Sequence, residues 1–303
     1  MTTSSLISIV IPCYNGAHYI AETLNSILSQ AYQKFEIIVV DDGSFDETNA
    51  IINRYVDNRI KYVYQTNQGV SVARNNGFKL VRGQYVVFFD ADDLMSFNFL
   101  TERVSILIRD SVTDFCCSQI KKIDEMNNII GNDIYNGYSD KFSHDILSFN
   151  QKLTTCPSNY LFRTSFLINN KILFNENLSS TADKYFLLEC DCLGKGYQIN
   201  NNAFLLYRIS AKGMSQVLNI GLINDNIQFE KEILILLKNI GFTKKLINDF
   251  LAKNRLSISI SFLKISIYNK SFTYFIKSII SNPKVLVQYL FNKLKGNNFR
   301  FIN

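Results

Sequence analysis

The stretch Gly83–Asp93 (GQYVVFFDADD) joins a short apolar run to an acidic cluster. Its segment Tyr85–Phe89 is rich in β-branched and aromatic residues, which predicts a buried strand. Three carboxylates follow that strand directly, at Asp90, Asp92 and Asp93. Buried carboxylates so close together repel one another, and a divalent cation relieves that repulsion. Mg²⁺ and Mn²⁺ prefer oxygen ligands, so the cluster fits either a metal–diphosphate site or a plain acidic turn, and the apolar strand before it and the second Asp pair, Asp41-Asp42, favour the metal site.

Strands and helices alternate in the residues that precede this stretch. Three further buried strands are predicted at Leu6–Pro12, Phe35–Val40 and Ile60–Tyr64. Helices are predicted between the strands, carrying Ile20–Leu28, Ala50–Val56 and Val72–Leu80. The alternation indicates βαβ units and a mostly parallel sheet, which is an α/β fold.

Polar clusters also follow two of the other predicted strands. Tyr14-Asn15 follows the first strand and Asp41-Asp42 follows the second. In open α/β sheets, ligands bind at the carboxyl ends of the strands. Asp41 and Asp42 therefore fit either an ordinary turn or a site that binds the base or ribose of a nucleotide. Arg74 fits either a phosphate contact or a surface ion pair.

Charge is distributed unevenly along the 303 residues. The net charge is +6, yet residues 225–303 hold 13 Lys/Arg and only 4 Asp/Glu, a net of +9. A basic, helix-patterned segment predicts an anionic partner, either a membrane surface or a nucleic acid, unless it is simply a solvated helical face. The sequence has neither a signal peptide nor an apolar run of about 20 residues, which favours a cytoplasmic protein.

Motif searches exclude two common nucleotide sites. The sequence contains no GxxxxGK[ST], which argues against a P-loop, and no GxGxxG after the first strand, which argues against a dinucleotide site. The six cysteines match no zinc or CxxC pattern and are expected to be buried or free thiols.

Five motifs in order resemble glycosyltransferase family 2. They are ISIVIPCYN (Ile7–Asn15), SILSQ (Ser26–Gln30), FEIIVVDDGS (Phe35–Ser44), GVSVARNNG (Gly69–Gly77) and GQYVVFFDADD (Gly83–Asp93). The resemblance covers about residues 5–215 and is strongest over residues 7–93. It implies a GT-A fold, in which helices flank a Rossmann-like nucleotide-binding mixed sheet. We expect this domain to occupy residues 1–220 and a basic helical extension to occupy residues 221–303.

The resemblance also assigns roles to individual residues. The donor-binding residues that it implies are Pro12, Tyr14, Asp41, Asp42, Arg74, Asp90, Ala91 and Arg208. The implied ligands of Mg²⁺ or Mn²⁺ are Asp90, Asp92 and Asp93. Tyr207-Arg208, followed by Ser215, resembles the segment that folds over the diphosphate in this family.

Asp183 is the catalytic base that the resemblance implies. It stands where the family has the Asp of a Glu-Asp pair at the start of a helix. The departure is Ala182, where the family often has Glu. That departure leaves Glu176 and Glu189 as alternative bases.

The implied activity is inverting, metal-dependent transfer of a sugar from a nucleotide-sugar donor, with a UDP-sugar as the default. The implied acceptor is a glycan or an undecaprenyl-linked oligosaccharide in the synthesis of O-antigen, capsule or lipopolysaccharide. Such an enzyme is expected to be peripheral on the anionic inner face of the bacterial cell membrane, with no nucleic-acid partner.

Three other functions compete with this one. A sugar nucleotidyltransferase usually has a Gly-rich segment after the first strand, where this chain has Pro12–Gly16. A nucleotide-sugar-binding protein without catalysis would explain Ala182. A nucleic-acid binder would use the basic C-terminal segment but leaves the acidic strand ends unexplained.

Overall fold

The computed structural model describes residues 5–131, 135–139, 141–149, 153, 155–209 and 218–294, with side chains up to residue 290. Ser215, which belongs to the expected closing segment, lies outside these residues. Within them the chain forms one mixed sheet with helices on both faces, followed by four helices.

The strands alternate with helices along the first ninety residues, as expected. In chain order the strands are β1 (Ile7–Cys13), β2 (Phe35–Asp41), β3 (Ile60–Tyr64), β4 (Tyr85–Phe88), β5 (Leu94–Met95), β6 (Phe115–Ile123), β7 (Tyr135–Asn136), β8 (Tyr160–Arg163), β9 (Gly196–Ile199) and β10 (Leu205–Arg208). The helices are α1 (Ile20–Leu28), α2 (Thr48–Ile52), α3 (Val70–Phe78), α4 (Phe99–Arg109), α5 (Phe142–Leu147), α6 (Thr164–Asn169), α7 (Ala182–Leu193), α8 (Ile220–Ile240), α9 (Lys244–Lys264), α10 (Tyr268–Ser281) and α11 (Pro283–Leu294).

The sheet has the order β3-β2-β1-β4-β8-β6-β10-β5, with β7 and β9 also paired to β6. The first four strands are parallel, because β1 pairs in parallel with both β2 and β4, and β2 pairs in parallel with β3. The second half of the sheet is mixed, since β8 is antiparallel to both β4 and β6. The carboxyl ends of β1, β2 and β4 therefore meet at one edge.

Both faces of the sheet are buried, which explains the nearly continuous apolar runs of β1 and β2. Ile9 of β1 packs with α1 and α4 on one face. Val10 packs on the other face, with α3, α7 and α8.

The predicted second helix is shorter than its apolar pattern suggested. Helix α2 ends at Ile52, and Val56 is fully exposed. The prediction that the helix carries Val56 is therefore wrong. Ile51 and Ile52 supply the packing, and the chain leaves the helix at once to reach β3.

The C-terminal helices continue the core of the sheet domain. Phe229 and Ile233 of α8 and Phe250 of α9 belong to the same buried cluster as Val10 of β1. The expected division at residue 220 stays a prediction, and α8 packs as part of the main core.

Two residues interrupt the C-terminal helices, Gly241 and Pro283. Gly241 adopts the left-handed conformation that ends α8, and Pro283 begins α11. None of the helices in the described part of the chain is long and apolar enough to cross a membrane.

Candidate active site

An acidic turn, Asp90–Asp93, follows β4 at the edge where the parallel strands end. The Thr23 hydroxyl of α1 lies 2.9 Å from the carbonyl oxygen of Ala91 and 3.0 Å from that of Asp93. From the other side, the Ser158 hydroxyl accepts a hydrogen bond from the Asp90 amide at 3.0 Å. The turn is thus fixed by two distant segments, which gives its carboxylates defined positions.

Arg74 of α3 joins this turn to the start of α7. One terminal nitrogen of its guanidinium lies 2.7 Å from Asp90 Oδ1, and the other lies 2.6 Å from Asp183 Oδ1. The Arg74 side chain is only 3% exposed, and its guanidinium also lies over the Phe174 ring, 4.7 Å from the centroid. Two residues 93 positions apart in the sequence are therefore held on one buried cation.

Burial and charged neighbours shift the pKa values of Asp92, Asp93 and Asp183. Burial raises the pKa of Asp183 to about 6, although Arg74 opposes that shift. Burial and the neighbouring Asp90 raise the pKa of Asp92 to about 6. Burial and the other two carboxylates hold the pKa of Asp93 well above its usual value. Burial alone would lower the pKa of Arg74, but Asp183 and Asp90 raise it instead.

The residues present fit a divalent cation. Asp90, Asp93 and Cys156 each offer a ligand atom within 4.8 Å of the others, and Asp92 lies in the same turn. The raised pKa values of Asp92 and Asp93 report repulsion and burial, which a bound cation would relieve. Three of these groups are hard oxygen ligands, which suit Mg²⁺ or Mn²⁺.

The acidic turn has two neighbours that were not identified from the sequence, Cys156 and Ser158, and a third, Tyr207, that belongs to the expected closing segment. Cys156 lies with its sulfur 3.7 Å from Asp93 Oδ2, and Ser158 binds the Asp90 amide. Tyr207 is close enough for the three carboxylates to raise its pKa further, beyond the effect of burial. Cys156 and Ser158 carry no motif and reach the site through the antiparallel pairing of β8 with β4, so only the fold could reveal them.

The carboxylates of Asp41 and Asp42 organise the loops after β2. Asp41 accepts hydrogen bonds from the Ser44 amide at 2.8 Å and the Tyr62 hydroxyl at 2.6 Å. Asp42 accepts from the backbone amides of Gln68 and Gly69, both at 2.8 Å. Both carboxylates are buried, and their hydrogen bonds hold the loops after β2 and β3 in place.

Exposed aromatic rings lie in the loops that follow β1 and β2. Tyr14 is 50% exposed, and its ring meets the edge of Phe45, with 6.1 Å between centroids. Pro12 is buried within β1 beside Val40, and Ala91 lies half-buried in the acidic turn. Phe45 follows the DDGS motif directly and was not identified from the sequence.

Arg208 of β10 is hydrogen-bonded to the acidic turn. Its side chain is fully buried, and its Nε donates to the Asp92 carbonyl at 2.7 Å. A terminal nitrogen lies 2.9 Å from Glu22 Oε2, and the Arg208 backbone amide donates to Asp93 Oδ1 at 3.0 Å. The guanidinium is thus committed to protein groups at the site, and its expected contact with the donor stays a prediction.

The alternative bases lie in different surroundings from Asp183. Glu176 accepts a hydrogen bond from Asn75 at 3.0 Å. Burial alone raises the pKa of Glu189 to about 7. Glu189 contributes to the raised pKa of Tyr185 and not to the pKa shifts in the acidic turn. Ala182 is fully buried in the core, whereas Asp183 beside it is 27% exposed.

Comparisons with known proteins show which family and which relatives this chain resembles. The model of the family "Glycosyl transferase family 2" matches residues 8–170. The chain is 28% identical over 249 residues to glycosyltransferase GlyG of Streptococcus pneumoniae, covering 76% of this chain and 80% of that protein. It also matches curated rickettsial glycosyltransferases, of whose length it spans a third or less.

Solved structures share the fold. The structure of S. aureus TarS 1-349 in complex with UDP-GlcNAc matches with a TM-score of 0.70 at 21% identity, over 97% of this chain and 93% of that one. The mannosyltransferase PcManGT from Pyrobaculum calidifontis, in complex with GDP-Man and Mn²⁺, matches with a TM-score of 0.59 at 17% identity, over 97% and 81%. The expected GT-A fold with a helical C-terminal region is confirmed.

Proposed function

This chain belongs to glycosyl transferase family 2, and we propose that it moves a sugar from a nucleotide-sugar donor to a hydroxyl group of a saccharide acceptor, with inversion. The observation that carries the proposal is the bridge from Asp90 through Arg74 to Asp183. The bridge supports the proposal, because it holds the proposed base next to a proposed ligand of the metal.

Asp183 is the proposed base. It takes the proton of the acceptor hydroxyl as that oxygen attacks the anomeric carbon from the face opposite the departing diphosphate. A carboxylate with a pKa of about 6 is ionised at neutral pH and is more basic than an ordinary Asp, which suits this step. Arg74 keeps the carboxylate oriented while leaving it 27% exposed to an incoming acceptor.

The acidic turn is the proposed site of Mg²⁺ or Mn²⁺, held by Asp90 and Asp92 with Asp93 beside them. When bound, the ion supplies positive charge that stabilises the departing diphosphate. Asp90 and Ala91 line the place for that diphosphate, and Arg208 supports it by holding the backbone of Asp92. The Mn²⁺ in the complex of the neighbouring mannosyltransferase supports this assignment.

The loops that follow β1 and β2 form the proposed site of the donor base and ribose. Tyr14 and Phe45 offer exposed rings for stacking, while Pro12, Asp41 and Asp42 are the buried residues of this proposed site. A UDP-sugar is the proposed donor, which the UDP-GlcNAc complex of the neighbouring TarS supports.

The C-terminal helices carry the proposed membrane contact. On α10, Tyr268, Phe272, Ile276 and Ile280 recur every four residues and are between 39% and 77% exposed, so they form one apolar stripe. Lysines accompany the stripe, and the sequence has no acidic residue after Asp249. An anionic membrane surface would cover the apolar stripe and attract the lysines.

This arrangement suits an acceptor that is itself attached to lipid. We propose a glycan or an undecaprenyl-linked oligosaccharide as the acceptor, with the enzyme on the inner face of a bacterial membrane. The product would be a cell-surface polysaccharide of the O-antigen, capsule or lipopolysaccharide type.

A donor screen tests the proposal. Purified protein is incubated with Mn²⁺ and a panel of UDP-, GDP- and dTDP-sugars, with and without undecaprenyl-linked saccharides, and released nucleoside diphosphate is measured. We expect release from one donor that requires the metal, with Asp92→Ala losing the metal-dependent part of donor binding. Donor binding without release under every condition would indicate a non-catalytic binding protein, and absence of both would overturn the proposal.

A further inference from the structure

Asp225, in the first turns of α8, contacts the segment that leads into α7. Its side chain is buried, with 6% exposed. Its Oδ1 accepts a hydrogen bond from the Ser179 amide at 2.7 Å. Its Oδ2 accepts from the Ser180 hydroxyl at 2.7 Å, the Thr181 amide at 2.8 Å and the Thr181 hydroxyl at 2.9 Å. One carboxylate thus receives four hydrogen bonds from three consecutive residues.

These contacts lie immediately before the candidate base. Helix α7 begins at Ala182, so Asp183 is its second residue. Thr181 is the cap residue of that helix, yet its side chain makes no capping hydrogen bond within α7 and donates to Asp225 instead. The carboxylate of α8 therefore fixes the start of α7 from outside the helix.

Helix α3 holds the same segment from the opposite direction. The Ser71 hydroxyl donates to the Leu178 carbonyl at 3.0 Å. Asn75 exchanges two hydrogen bonds with the backbone of Phe174, at 2.9 and 3.0 Å. Because Arg74 lies on α3 as well, this helix sets the position of the guanidinium, and Asp225 sets the position of the carboxylate that meets it.

We infer that Asp225 is a positioning residue for the transfer reaction, acting through Asp183. The inference rests on the proposed function, because it gives Asp183 the role of the base. It also assigns part of the active-site architecture to the C-terminal helical region, which carries none of the family motifs. A displacement of about 1 Å in a catalytic group is enough to slow a reaction by about 100-fold.

The test compares Asp225→Asn with Glu230→Gln. The Asn side chain keeps the volume of Asp225 but places an NH₂ donor among the four donors that surround it. Glu230 lies on the same helix and pairs with Arg255 of α9 at 2.7 Å, away from the α7 segment. With the donor panel as the probe, we expect Asp225→Asn to lower kcat by about 10- to 100-fold and to leave the donor KM within about threefold. Glu230→Gln should leave kcat within about twofold of the wild-type value, even if it lowers Tm as much as Asp225→Asn does.

A double-mutant cycle separates positioning from a general loss of structure. In an Asp183→Asn background, Asp225→Asn should have no further effect on the residual turnover, because the group that it positions is gone. Thr181→Val removes a single contact of the carboxylate and should lower kcat by about threefold to tenfold. This milder variant decides the question if Asp225→Asn does not fold.

The outcomes distinguish this inference from the proposed function. If Asp183→Asn abolishes turnover while Asp225→Asn and Thr181→Val turn over within about twofold of the wild type, Asp225 does not position the base. Equal losses in both backgrounds would overturn the inference as well. Wild-type turnover by Asp183→Asn would instead overturn the proposed role of the base itself.

Discussion

In most proteins charged side chains are exposed and large apolar side chains are buried. The edge of the sheet and the helices α10 and α11 both depart from this rule, in opposite ways. At the edge of the sheet, charged groups are buried: Arg74 and Asp93 are 3% and 1% exposed. On α10 and α11, large apolar side chains are exposed, with Phe272 at 66% and Val287 at 68%. Buried charge needs partners, and an exposed apolar stripe needs a cover.

The two regions differ in where those partners come from. Arg74 pairs with two carboxylates of the same chain, one in the turn after β4 and one on α7, so the buried charge is neutralised within the protein. The apolar stripe on α10 is not covered by any of the described residues. The lysines near it are the reason that we propose an anionic surface as its partner. This difference is the reason that we propose catalysis at the first region and contact with a partner at the second, and four experiments test the two proposals.

The largest effect is expected from Asp183→Asn. Removing the proposed base should lower transfer by about 1,000-fold, which corresponds to about 4 kcal/mol of transition-state stabilisation. Donor affinity should stay within about threefold, since the group acts on the acceptor. Steady-state kinetics and calorimetric titration with the donor measure the two quantities. Glu176→Gln is the control and should retain most of the activity.

The next largest effect is expected from Arg74→Met, measured as stability. The substitution leaves Asp90 and Asp183 without their shared cation, and the free energy of unfolding should fall by about 3 kcal/mol at pH 7.5. The loss should shrink at pH 5, because burial raises the pKa of Asp183 to about 6 and this carboxyl group is mostly protonated, and therefore neutral, at that pH. Arg82→Met is a matched control, since Arg82 pairs with Glu36 at 2.6 Å but is 76% exposed. It should cost no more than about 1 kcal/mol, and equal losses would contradict the contrast between buried and exposed pairs.

An intermediate effect is expected from Phe272→Ser combined with Ile276→Ser. If the stripe contacts lipid, the affinity for vesicles with 30% anionic lipid should fall by about tenfold, or about 1.4 kcal/mol. Sedimentation with such vesicles measures it, and vesicles of neutral lipid should bind both proteins weakly. Phe97→Ser removes a ring with similar exposure at another surface, 64% against 66%, and should change nothing. Equal binding by both variants would remove the basis of the membrane proposal.

The smallest effect is expected from Glu189→Gln and depends on pH. Burial raises the pKa of Glu189 to about 7, so the folded protein holds this proton more tightly than the unfolded chain does. Stability from this group is therefore present below the unfolded pKa and is lost as the pH rises through about 7. The substitution should raise the stability by about 1 kcal/mol at pH 8.5 and by much less at pH 4.5. Thermal melts at the two pH values measure it, and the same gain at both would mean that Glu189 does not titrate in this range.

Sequence patterns predicted the parallel half of the sheet closely. Each of the first four strands falls within a residue or two of its predicted bounds, because continuous apolar runs between turn residues are local signals. The predicted end of α2 was wrong, because Val56 fits the apolar spacing of a helix although it is exposed beyond the end of α2. The mixed half of the sheet had no such local signal, because its order depends on pairing between distant segments.

The candidate site divides in the same way. Its carboxylates stand in the motifs after β2 and β4, where residue type and spacing alone indicate their chemistry. The chain by itself thus determined which groups are available and that they follow strand ends. The tertiary structure alone decided which of them meet. Arg74 joins Asp90 to Asp183, and Asp225 fixes the start of α7, through contacts between residues 16 to 109 positions apart. Such contacts depend on how the helices pack against the sheet, and packing leaves no fixed spacing in the sequence.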